Sequence, residues 1–359
     1  MNNLMMILGP TQMRKEVLEA GAIPVVYPRT QEYSEFFKEI TSKLQRLFNT
    51  KELVISISGS GTSAMQMAVS NVIKPGDKVE TFNTGTFGKR WSEIIIQSGL
   101  QCNVNDIEIG SNVTPEIIEQ KMSASKKPDV IFITYNETST AAICNLKEIA
   151  SITKNTDTIL VVDAISSLGA EPLEMDNWGC DVVITGSQKF IGIAPGLSFI
   201  AFSKKAQEKI NTVECHNFYF DAKKYLADCK RGQMPFTAPL SLLNQLNVQL
   251  DYFEKVGIEK LRSDYYRKTE YLRRKVYEIG FNPVSEEMGN CTTALYVPEG
   301  VDAFHLTNVL RLNYGISIVG PYPGGNIVRI GNFGDISTED INFCVNSIKE
   351  IILQTQIRE

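Results

Sequence analysis

Short apolar runs and longer helical patterns alternate along the first two thirds of the chain. Strand-like segments are expected at 53–58, 78–82, 130–134, 159–163, 181–185 and 198–202. Between them, apolar residues recur at helical spacing over 35–48, 62–73, 88–98 and 145–154. This alternation predicts an α/β fold, with a mostly parallel central sheet and helices on both of its faces.

The last third of the chain has a different pattern. A long helical pattern runs from about 238 to 279. Shorter strand-like segments follow near 292–297, 316–319 and 326–330. We therefore predict a large domain over residues 16–245 and a smaller C-terminal α/β domain over 246–359. Residues 1–15 are expected to form an N-terminal segment that packs near the functional site.

Composition and charge exclude several classes of partner. The 359 residues are 43% apolar and carry a formal net charge of −5 with scattered basic residues, so nucleic acid and anionic membranes are not expected as main partners. Seven cysteines without a Cys-x-x-Cys spacing and only two histidines argue against a disulfide framework or a metal site. Without a membrane-spanning run or a secretory leader pattern, we expect a cytoplasmic protein.

Two charged residues stand at the ends of successive strand-like runs. Asp163 ends the run at 159–163, and Lys189 follows the run at 181–185 in the sequence Gly-Ser-Gln-Lys. A lysine at a strand end can form a Schiff base with the aldehyde of pyridoxal 5'-phosphate (PLP), whose ring nitrogen an aspartate can keep protonated. Singly, the lysine also fits a solvated surface residue and the aspartate a helix cap. The pair strengthens the case for PLP.

A glycine-rich turn joins the strand-like run at 53–58 to the helical pattern that follows it. Its sequence, Gly59-Ser60-Gly61-Thr62-Ser63-Ala64, lets backbone amides approach an anion and adds the hydroxyl of Thr62, as a phosphate-binding cup requires. The same letters fit the G-x-G-x-x-A dinucleotide fingerprint, with Glu80 as the ribose-binding acid. A turn that binds no ligand has this composition too, so the turn alone does not separate the three interpretations.

Further motifs extend over nearly the whole chain in a consistent order and spacing. They are Leu8-Gly9-Pro10-Thr11, Ser58–Thr62, Asn83–Arg90, Asn136–Thr140, Val162–Ser167, Gly186–Lys189, Pro235–Pro239 and Val328–Gly331. Together they resemble the class V aminotransferases of PLP fold type I, in the branch of the alanine-glyoxylate, serine-pyruvate and 2-aminoethylphosphonate-pyruvate transaminases. The resemblance implies a ping-pong transfer of an amino group between a small amino donor and a 2-oxo acid such as pyruvate or glyoxylate.

The resemblance also implies a role for each residue around the cofactor. Lys189 would form the Schiff base and shuttle protons, while Asp163 would hold the ring nitrogen. Phe87 would stack on the cofactor, although an ordinary core phenylalanine is the alternative, and the hydroxyl of Thr138 would bind its phenolic oxygen. The residues expected to hold the phosphate are Ser60, Gly61, Thr62 and Gln188.

Three more residues concern the partner subunit and the substrate. By resemblance, Thr237 would reach the phosphate in a neighbouring subunit, which implies a homodimer with active sites at the interface. Arg329 would bind the substrate carboxylate through its planar guanidinium, with a surface arginine as the alternative. Arg29 lies where the aminoethylphosphonate enzymes carry a basic segment, and it hints at an anionic substrate tail, although a solvated turn arginine is equally consistent.

Other functional classes share parts of this pattern. A cysteine desulfurase or lyase of the same fold usually has a histidine beside the Schiff-base lysine, and the neighbour here is Gln188. An NAD-binding oxidoreductase would leave Lys189, Asp163 and Arg329 without a role. A non-catalytic protein that retains PLP would have the same motifs. The sequence also leaves open whether the donor is alanine, serine or 2-aminoethylphosphonate.

Overall fold

A large sheet with helices on both faces dominates the computed structural model, which describes residues 3–322 and 325–356. The strands are β1 (Leu4–Met5), β2 (Val54–Ser58), β3 (Val79–Asn83), β4 (Asn103–Asp106), β5 (Val130–Thr134), β6 (Ile159–Asp163), β7 (Val182–Gly186), β8 (Leu197–Phe202), β9 (Asn282–Pro283), β10 (Thr292–Tyr296), β11 (Ile316–Ser317) and β12 (Ile327–Gly331). The helices are α1 (Lys15–Gly21), α2 (Gln31–Phe48), α3 (Gly61–Val72), α4 (Thr86–Gln97), α5 (Pro115–Met122), α6 (Leu146–Thr153), α7 (Met175–Trp178), α8 (Lys204–Asn211), α9 (Ala222–Lys230), α10 (Leu240–Val256), α11 (Ile258–Tyr277), α12 (Ala303–Val309) and α13 (Thr338–Gln356). A π-helical turn, Leu310–Tyr314, follows α12 directly.

The central sheet has seven strands in the order β2-β8-β7-β6-β5-β3-β4. All neighbours are parallel except β8, which is antiparallel to both β2 and β7. The predicted α/β fold with a mostly parallel sheet is therefore confirmed. Because β8 reverses direction between them, β2 and β7 run the same way, and their carboxyl ends reach the same edge of the sheet as those of β5 and β6.

Both faces of the central strands are buried, which explains why their sequences read as continuous apolar runs. In β5, Ile131 and Ile133 belong to one hydrophobic cluster, whereas Val130 and Phe132 belong to a second cluster on the opposite face. The β6 residues alternate between the same two clusters. The two-residue periodicity of a strand thus supplies two separate cores from one apolar run.

The pattern of apolar residues missed the two-residue strands β1 and β9 and one strand of the central sheet, and it merged two helices. Strand β4 has the polar, largely exposed sequence Asn-Val-Asn-Asp at the edge of the sheet, so no apolar run marks it. The single helical pattern predicted over 238–279 is wrong, because it consists of α10 and α11 separated at Gly257. Gly257 has φ +88°, a left-handed conformation that an α-helix does not continue through.

The C-terminal region builds its own core against the beginning of the chain. Strands β12, β10 and β9 form an antiparallel sheet, and β1 pairs in parallel with β11. Leu4 and Met6 share one hydrophobic cluster with residues such as Leu272, Val328 and Ile348. The predicted outer domain limits, residues 1 and 359, lie outside the described residues, and the domain limits stay predictions. Within the described part, no helix is both long and apolar enough to cross a membrane.

Candidate active site

The carboxyl ends of the parallel strands bring the predicted site residues to one edge of the sheet. Asp163 is the last residue of β6, where it lies opposite Thr134 of β5 and Ile184 of β7. Lys189 follows β7 by three residues. Open α/β sheets bind ligands at this edge.

Asp163 and Lys189 are both buried and interact electrostatically with each other. Burial raises the pKa of Asp163 to about 7, a shift that the backbone amide of Ile165 limits by donating to Asp163 Oδ1 at 2.9 Å. Burial lowers the pKa of Lys189 to about 8, opposed by the negative charge of Asp163. The lysine amine donates to the carbonyl of Leu8. This buried site therefore holds an amine that loses its proton more readily than a surface lysine.

The glycine-rich turn presents unpaired backbone amides at the start of α3. Ser60 is the N-cap residue, but its side chain makes no capping hydrogen bond. The amides of Gly61 and Thr62 have no backbone acceptor in the described chain. Arg90 Nη1 donates to Thr62 Oγ1 at 3.3 Å and brings a positive charge to the turn. Free amides at a helix N-terminus beside a cation are the features that bind a phosphate.

The side chain of Glu80 is occupied, which weakens the dinucleotide interpretation. Its two carboxylate oxygens accept from Asn103 Nδ2 and Asn105 Nδ2, each at 2.9 Å, and Lys121 Nζ lies 3.2 Å away. Burial alone would raise the pKa of Glu80, but these partners hold it below its usual value. A carboxylate so engaged at the edge pair β3 and β4 is not free to bind a ribose.

Phe87 lies in the first turn of α4, and a buried carboxylate fixes that turn. Glu137 Oε2 accepts from the backbone amides of Phe87 at 3.0 Å and Gly88 at 2.9 Å. Glu137 Oε1 accepts from the amide of Ser139 at 3.0 Å and from its hydroxyl at 2.6 Å. Gly85 has φ +149°, and a Cβ there would come within 2.8 Å of Glu137 Cδ, so only glycine permits this close approach.

Sequence reasoning did not identify Glu137. The motif Asn136–Thr140 predicts a role for Thr138 only. The available sequence signal is a glutamate three residues after the apolar run of β5, where a carboxylate tends to be buried and then needs several donors. The hydroxyl of Thr138 is 2.6 Å from the hydroxyl of Ser166, which joins the loops after β5 and β6.

Two predicted ligands carry buried polar atoms without a protein partner. Among the described residues, Oε1 of Gln188 and Nε of Arg329 are buried and have no hydrogen-bond partner. Arg329 lies on β12 opposite Ala294, close enough for its positive charge to help lower the pKa of Lys189. Buried polar groups are normally satisfied, so both atoms are available to a bound molecule.

Thr237 and Arg29 are not brought to Lys189 within one chain. Thr237 is exposed on the segment before α10, and its hydroxyl has no partner among the described residues. Arg29 donates from Nη1 to Gln233 Oε1 at 2.8 Å and to the carbonyl of Met234 at 3.5 Å. Their roles at a subunit interface and at the substrate stay predictions.

The residues at this edge fit PLP. The unpaired amides of Gly61 and Thr62, together with Arg90, suit a phosphate, while the buried Asp163 suits a protonated ring nitrogen. Lys189 is the amine for the aldehyde. When bound, PLP supplies an aromatic ring that withdraws electrons from the substrate's α carbon.

Cys291, the cysteine whose charge would act on Lys189, does not support a desulfurase. It directly precedes β10 and is buried. Burial, followed by the nearby charge of Glu171, raises the pKa of Cys291 well above its usual value. A fixed, protonated thiol does not serve as a mobile nucleophile.

Comparisons with known proteins agree with this site. The sequence model of the family "Aminotransferase class-V" matches residues 12–325. An uncharacterized aminotransferase of Methanocaldococcus jannaschii is 35% identical, over 94% of this chain and 89% of the relative. The L-aspartate–glyoxylate aminotransferase of Paracoccus denitrificans is 27% identical, over 93% of this chain and 87% of the relative.

The solved structure of an aspartate aminotransferase of subgroup IV from Thermus thermophilus has a similar fold. It superposes with a TM-score of 0.90 at 26% identity, covering 98% of this chain and 99% of that one. The resemblance inferred from the motifs, the fold type and the PLP cofactor are all confirmed. The chain belongs to the class V aminotransferases, which are PLP-dependent enzymes of fold type I.

Proposed function

We propose that this aminotransferase moves an amino group from a small donor, of the alanine, serine or 2-aminoethylphosphonate type, to a 2-oxo acid such as pyruvate or glyoxylate. The observation that carries the proposal is the buried pair of Lys189 and Asp163 with Arg329 close enough for its charge to lower the pKa of Lys189. The guanidinium of Arg329 has a buried nitrogen without a partner among the described residues. Relatives named as glyoxylate aminotransferases support the choice of acceptor.

Lys189 acts as the general base and acid. Because burial lowers the pKa of Lys189 to about 8, a substantial fraction of its amine is neutral near physiological pH and can take a proton. We assign to Lys189 Nζ the removal of the proton from the α carbon of the donor and its delivery to the cofactor within the first half of a ping-pong cycle. In the second half, Lys189 Nζ would move a proton the opposite way, to the α carbon of the 2-oxo acid. Asp163 keeps the ring nitrogen of the cofactor protonated throughout.

Phe87 and Thr138 hold the cofactor ring in place. Glu137 fixes the backbone of Phe87, so the aromatic side chain is presented from a rigid helix start for stacking. We assign the binding of the cofactor's phenolic oxygen to Thr138, whose hydroxyl lies 2.6 Å from that of Ser166. The amides of the Gly61 turn and Gln188 bind the phosphate.

The active enzyme is a homodimer in this proposal. The segment after α1 exposes a run of large apolar side chains, with exposed fractions of 51% for Ile23, 66% for Val25, 63% for Val26 and 71% for Tyr27. Phe218 is 76% exposed. Apolar side chains exposed to this extent in one short segment favour burial against another protein surface. A second copy of the chain is the partner that the role of Thr237 requires.

Thr237 and Arg29 belong to the same surface region. Arg29 donates to the carbonyl of Met234, three residues before Thr237. If Thr237 enters the partner's active site to bind its phosphate, Arg29 is carried toward that site as well. We assign to Arg29 the recognition of an anionic group on the substrate tail, such as a phosphonate or a second carboxylate.

The seven free cysteines support a cytoplasmic location, where thiols stay reduced. This location is part of the proposal.

A half-reaction screen tests the substrate assignment. Cofactor-loaded enzyme is mixed with alanine, serine, glycine, aspartate, 2-aminoethylphosphonate or a ureidoglycine-like amine, and the loss of the visible absorption of the bound cofactor is followed. We expect rapid loss with one small donor and recovery with pyruvate or glyoxylate. The variant Lys189→Ala is the negative control. No loss with any of these amines would overturn the substrate proposal, and the variant Arg29→Gln should slow only donors with an anionic tail.

A further inference from the structure

The described residues that directly follow β11 fold back over Arg329. Arg329 N donates to the carbonyl of Val319 at 2.6 Å, and Val319 N donates to the carbonyl of Arg329 at 2.9 Å. Tyr322 follows three residues after Val319 and is half-buried. Its ring centroid lies 5.5 Å from Arg329 Cζ, within the range of a cation–π contact.

A second contact joins Tyr322 to the large domain. The hydroxyl of Tyr322 is 3.4 Å from Oγ1 of Thr86, the first residue of α4 and the neighbour of Phe87. The ring also packs against a small apolar cluster that includes Ala141 and Ile327. Tyr322 therefore connects β12, which carries Arg329, to the start of α4, which carries Phe87.

Arg329 has few other constraints on its orientation. No carboxylate lies within salt-bridge distance of its guanidinium in the described chain, and its buried Nε has no acceptor. Burial lowers the pKa of Arg329, and the negative charge of Glu137 opposes this shift. The carboxylate of Glu137 is already held by the amides of α4. The ring of Tyr322 contacts Arg329 and is therefore the side chain that can hold the plane of the guanidinium.

We propose that Tyr322 is a positioning residue that holds the guanidinium of Arg329 ready for the substrate carboxylate. This inference rests on the proposed role of Arg329. The ring provides the positioning through its contact with the guanidinium, and the hydroxyl ties the arginine to the helix that carries Phe87. Bidentate binding of a carboxylate needs a correctly oriented guanidinium plane, so loss of the ring weakens substrate binding more than it slows the chemical step.

Paired variants at this contact separate the ring from the hydroxyl. Tyr322→Ala removes both, Tyr322→Phe keeps the ring, and Thr86→Val removes the same hydroxyl contact from the other side. We expect Tyr322→Ala to raise KM for the carboxylate donor by about 3- to 30-fold, with a much smaller change in kcat. Tyr322→Phe should restore most of the lost affinity, and Thr86→Val should behave like Tyr322→Phe.

Binding without turnover gives an independent readout. Propionate, an unreactive carboxylate, is titrated into the cofactor-loaded enzyme by calorimetry, with the neutral propionamide as the control ligand. Tyr322→Ala should raise the dissociation constant of propionate by the same factor as KM and leave the dissociation constant of propionamide unchanged. An unchanged propionate affinity in Tyr322→Ala, or equal losses for Tyr322→Ala and Tyr322→Phe, would overturn the positioning role of the ring.

The variant Arg329→Gln distinguishes failure of this inference from failure of the proposed function. If Arg329→Gln loses propionate binding while Tyr322→Ala keeps it, Arg329 binds the carboxylate and the inference about Tyr322 is wrong. If Arg329→Gln retains full propionate affinity, the carboxylate binds elsewhere. The role of Arg329 and the role of Tyr322 are then both wrong.

Discussion

The charged side chains on two sides of the candidate active site differ in how completely the protein satisfies them. At the edge of the central sheet, Glu137 accepts four hydrogen bonds of 3.0 Å or less, and Asp163 accepts one from the amide of Ile165. On β12, Arg329 has a buried nitrogen without a partner among the described residues, and the nearby Tyr322 reaches Thr86 at 3.4 Å. The two carboxylates are held by protein donors, whereas the guanidinium keeps a donor available for a ligand.

The residues proposed for the reaction are therefore held differently from those proposed to select the substrate. Groups at strand ends are held by the sheet, so the positions of Asp163 and Lys189 follow from the fold itself. The other proposed ligands, Arg329, Tyr322, Arg29 and Thr237, lie on β12, on a loop and on surface segments. Their proposed roles depend on contacts with distant parts of the chain or with the second subunit of the proposed dimer. Changes on the cofactor side should therefore have the larger effects.

The largest effect is expected for Lys189→Ala. Removing the amine eliminates both the attachment of the cofactor and the general base, so the half-reaction with the best donor should slow by at least about 1000-fold. Stopped-flow absorbance measures this rate. Lys268→Ala is the control, at a half-buried lysine whose amine donates to the carbonyl of Ile336, and it should retain turnover. A rate within tenfold of the parent enzyme in Lys189→Ala would contradict the assignment.

Glu137→Gln tests the rigidity of the cofactor side. The amide nitrogen of glutamine would face backbone donors instead of accepting from them, which should lower the free energy of unfolding by about 2–4 kcal/mol. Chemical denaturation measures the loss. Glu93→Gln on the exposed face of the same helix should change stability by less than about 0.5 kcal/mol. Equal small losses at both positions would show that the carboxylate of Glu137 is not needed to hold α4.

Asp163→Asn should have opposite effects without and with the cofactor. The pKa of Asp163 rises from its ordinary 3.8 to about 7 on folding, so the folded state binds the proton more tightly than the unfolded state. The ionised carboxylate then destabilises the cofactor-free protein as pH rises from about 4 to 7. We expect Asp163→Asn to stabilise the cofactor-free protein at pH 7.5 by on the order of 2 kcal/mol, with no gain near pH 4.

With PLP bound, the same substitution should be unfavourable, because asparagine cannot hold the protonated ring nitrogen. Thermal unfolding of both forms over this pH range, with the parent protein beside the variant, measures the reversal. A variant that is destabilised to the same extent in both forms would mean that Asp163 serves the fold and not the cofactor.

The smallest effect is expected for Thr237→Val. Loss of one hydroxyl donor to the phosphate should raise the dissociation constant of PLP by about fivefold, equivalent to roughly 1 kcal/mol. The effect should appear only in the dimer, so cofactor titrations are compared above and below the concentration at which the subunits dissociate. Thr212→Val, at an exposed threonine that binds the carbonyl of Lys209 in its own chain, is the control. An identical change in the dissociated subunit would remove the need for a partner at this position.

The sequence was most informative where buried strands end on polar residues. The apolar runs located the strands of the central sheet except β4, and the charged residues after two of them predicted the pair Asp163 and Lys189. Strand β4 was missed because an exposed edge strand needs no apolar run. The break at Gly257 was missed because the sequence pattern does not distinguish a glycine within a bent helix from a glycine that separates two helices.

Glu137 and Tyr322 show why part of the site was not predictable. The role of Glu137 depends on amides of α4 about 50 residues earlier, and Tyr322 reaches Thr86 more than 230 residues away. No local pattern encodes such pairings, since they arise only when the sheet order brings distant loops together. The family resemblance located the motif that contains Glu137 without giving its function.

The most direct test of the account is the covalent state of Lys189. Protein supplied with PLP is reduced with borohydride, digested and analysed by mass spectrometry, with Lys189→Ala treated in parallel. We predict that the peptide containing Lys189 carries the cofactor and that the variant carries none. A label on a different lysine, or an unlabelled Lys189 in protein that still transaminates, would contradict the assignment of this site.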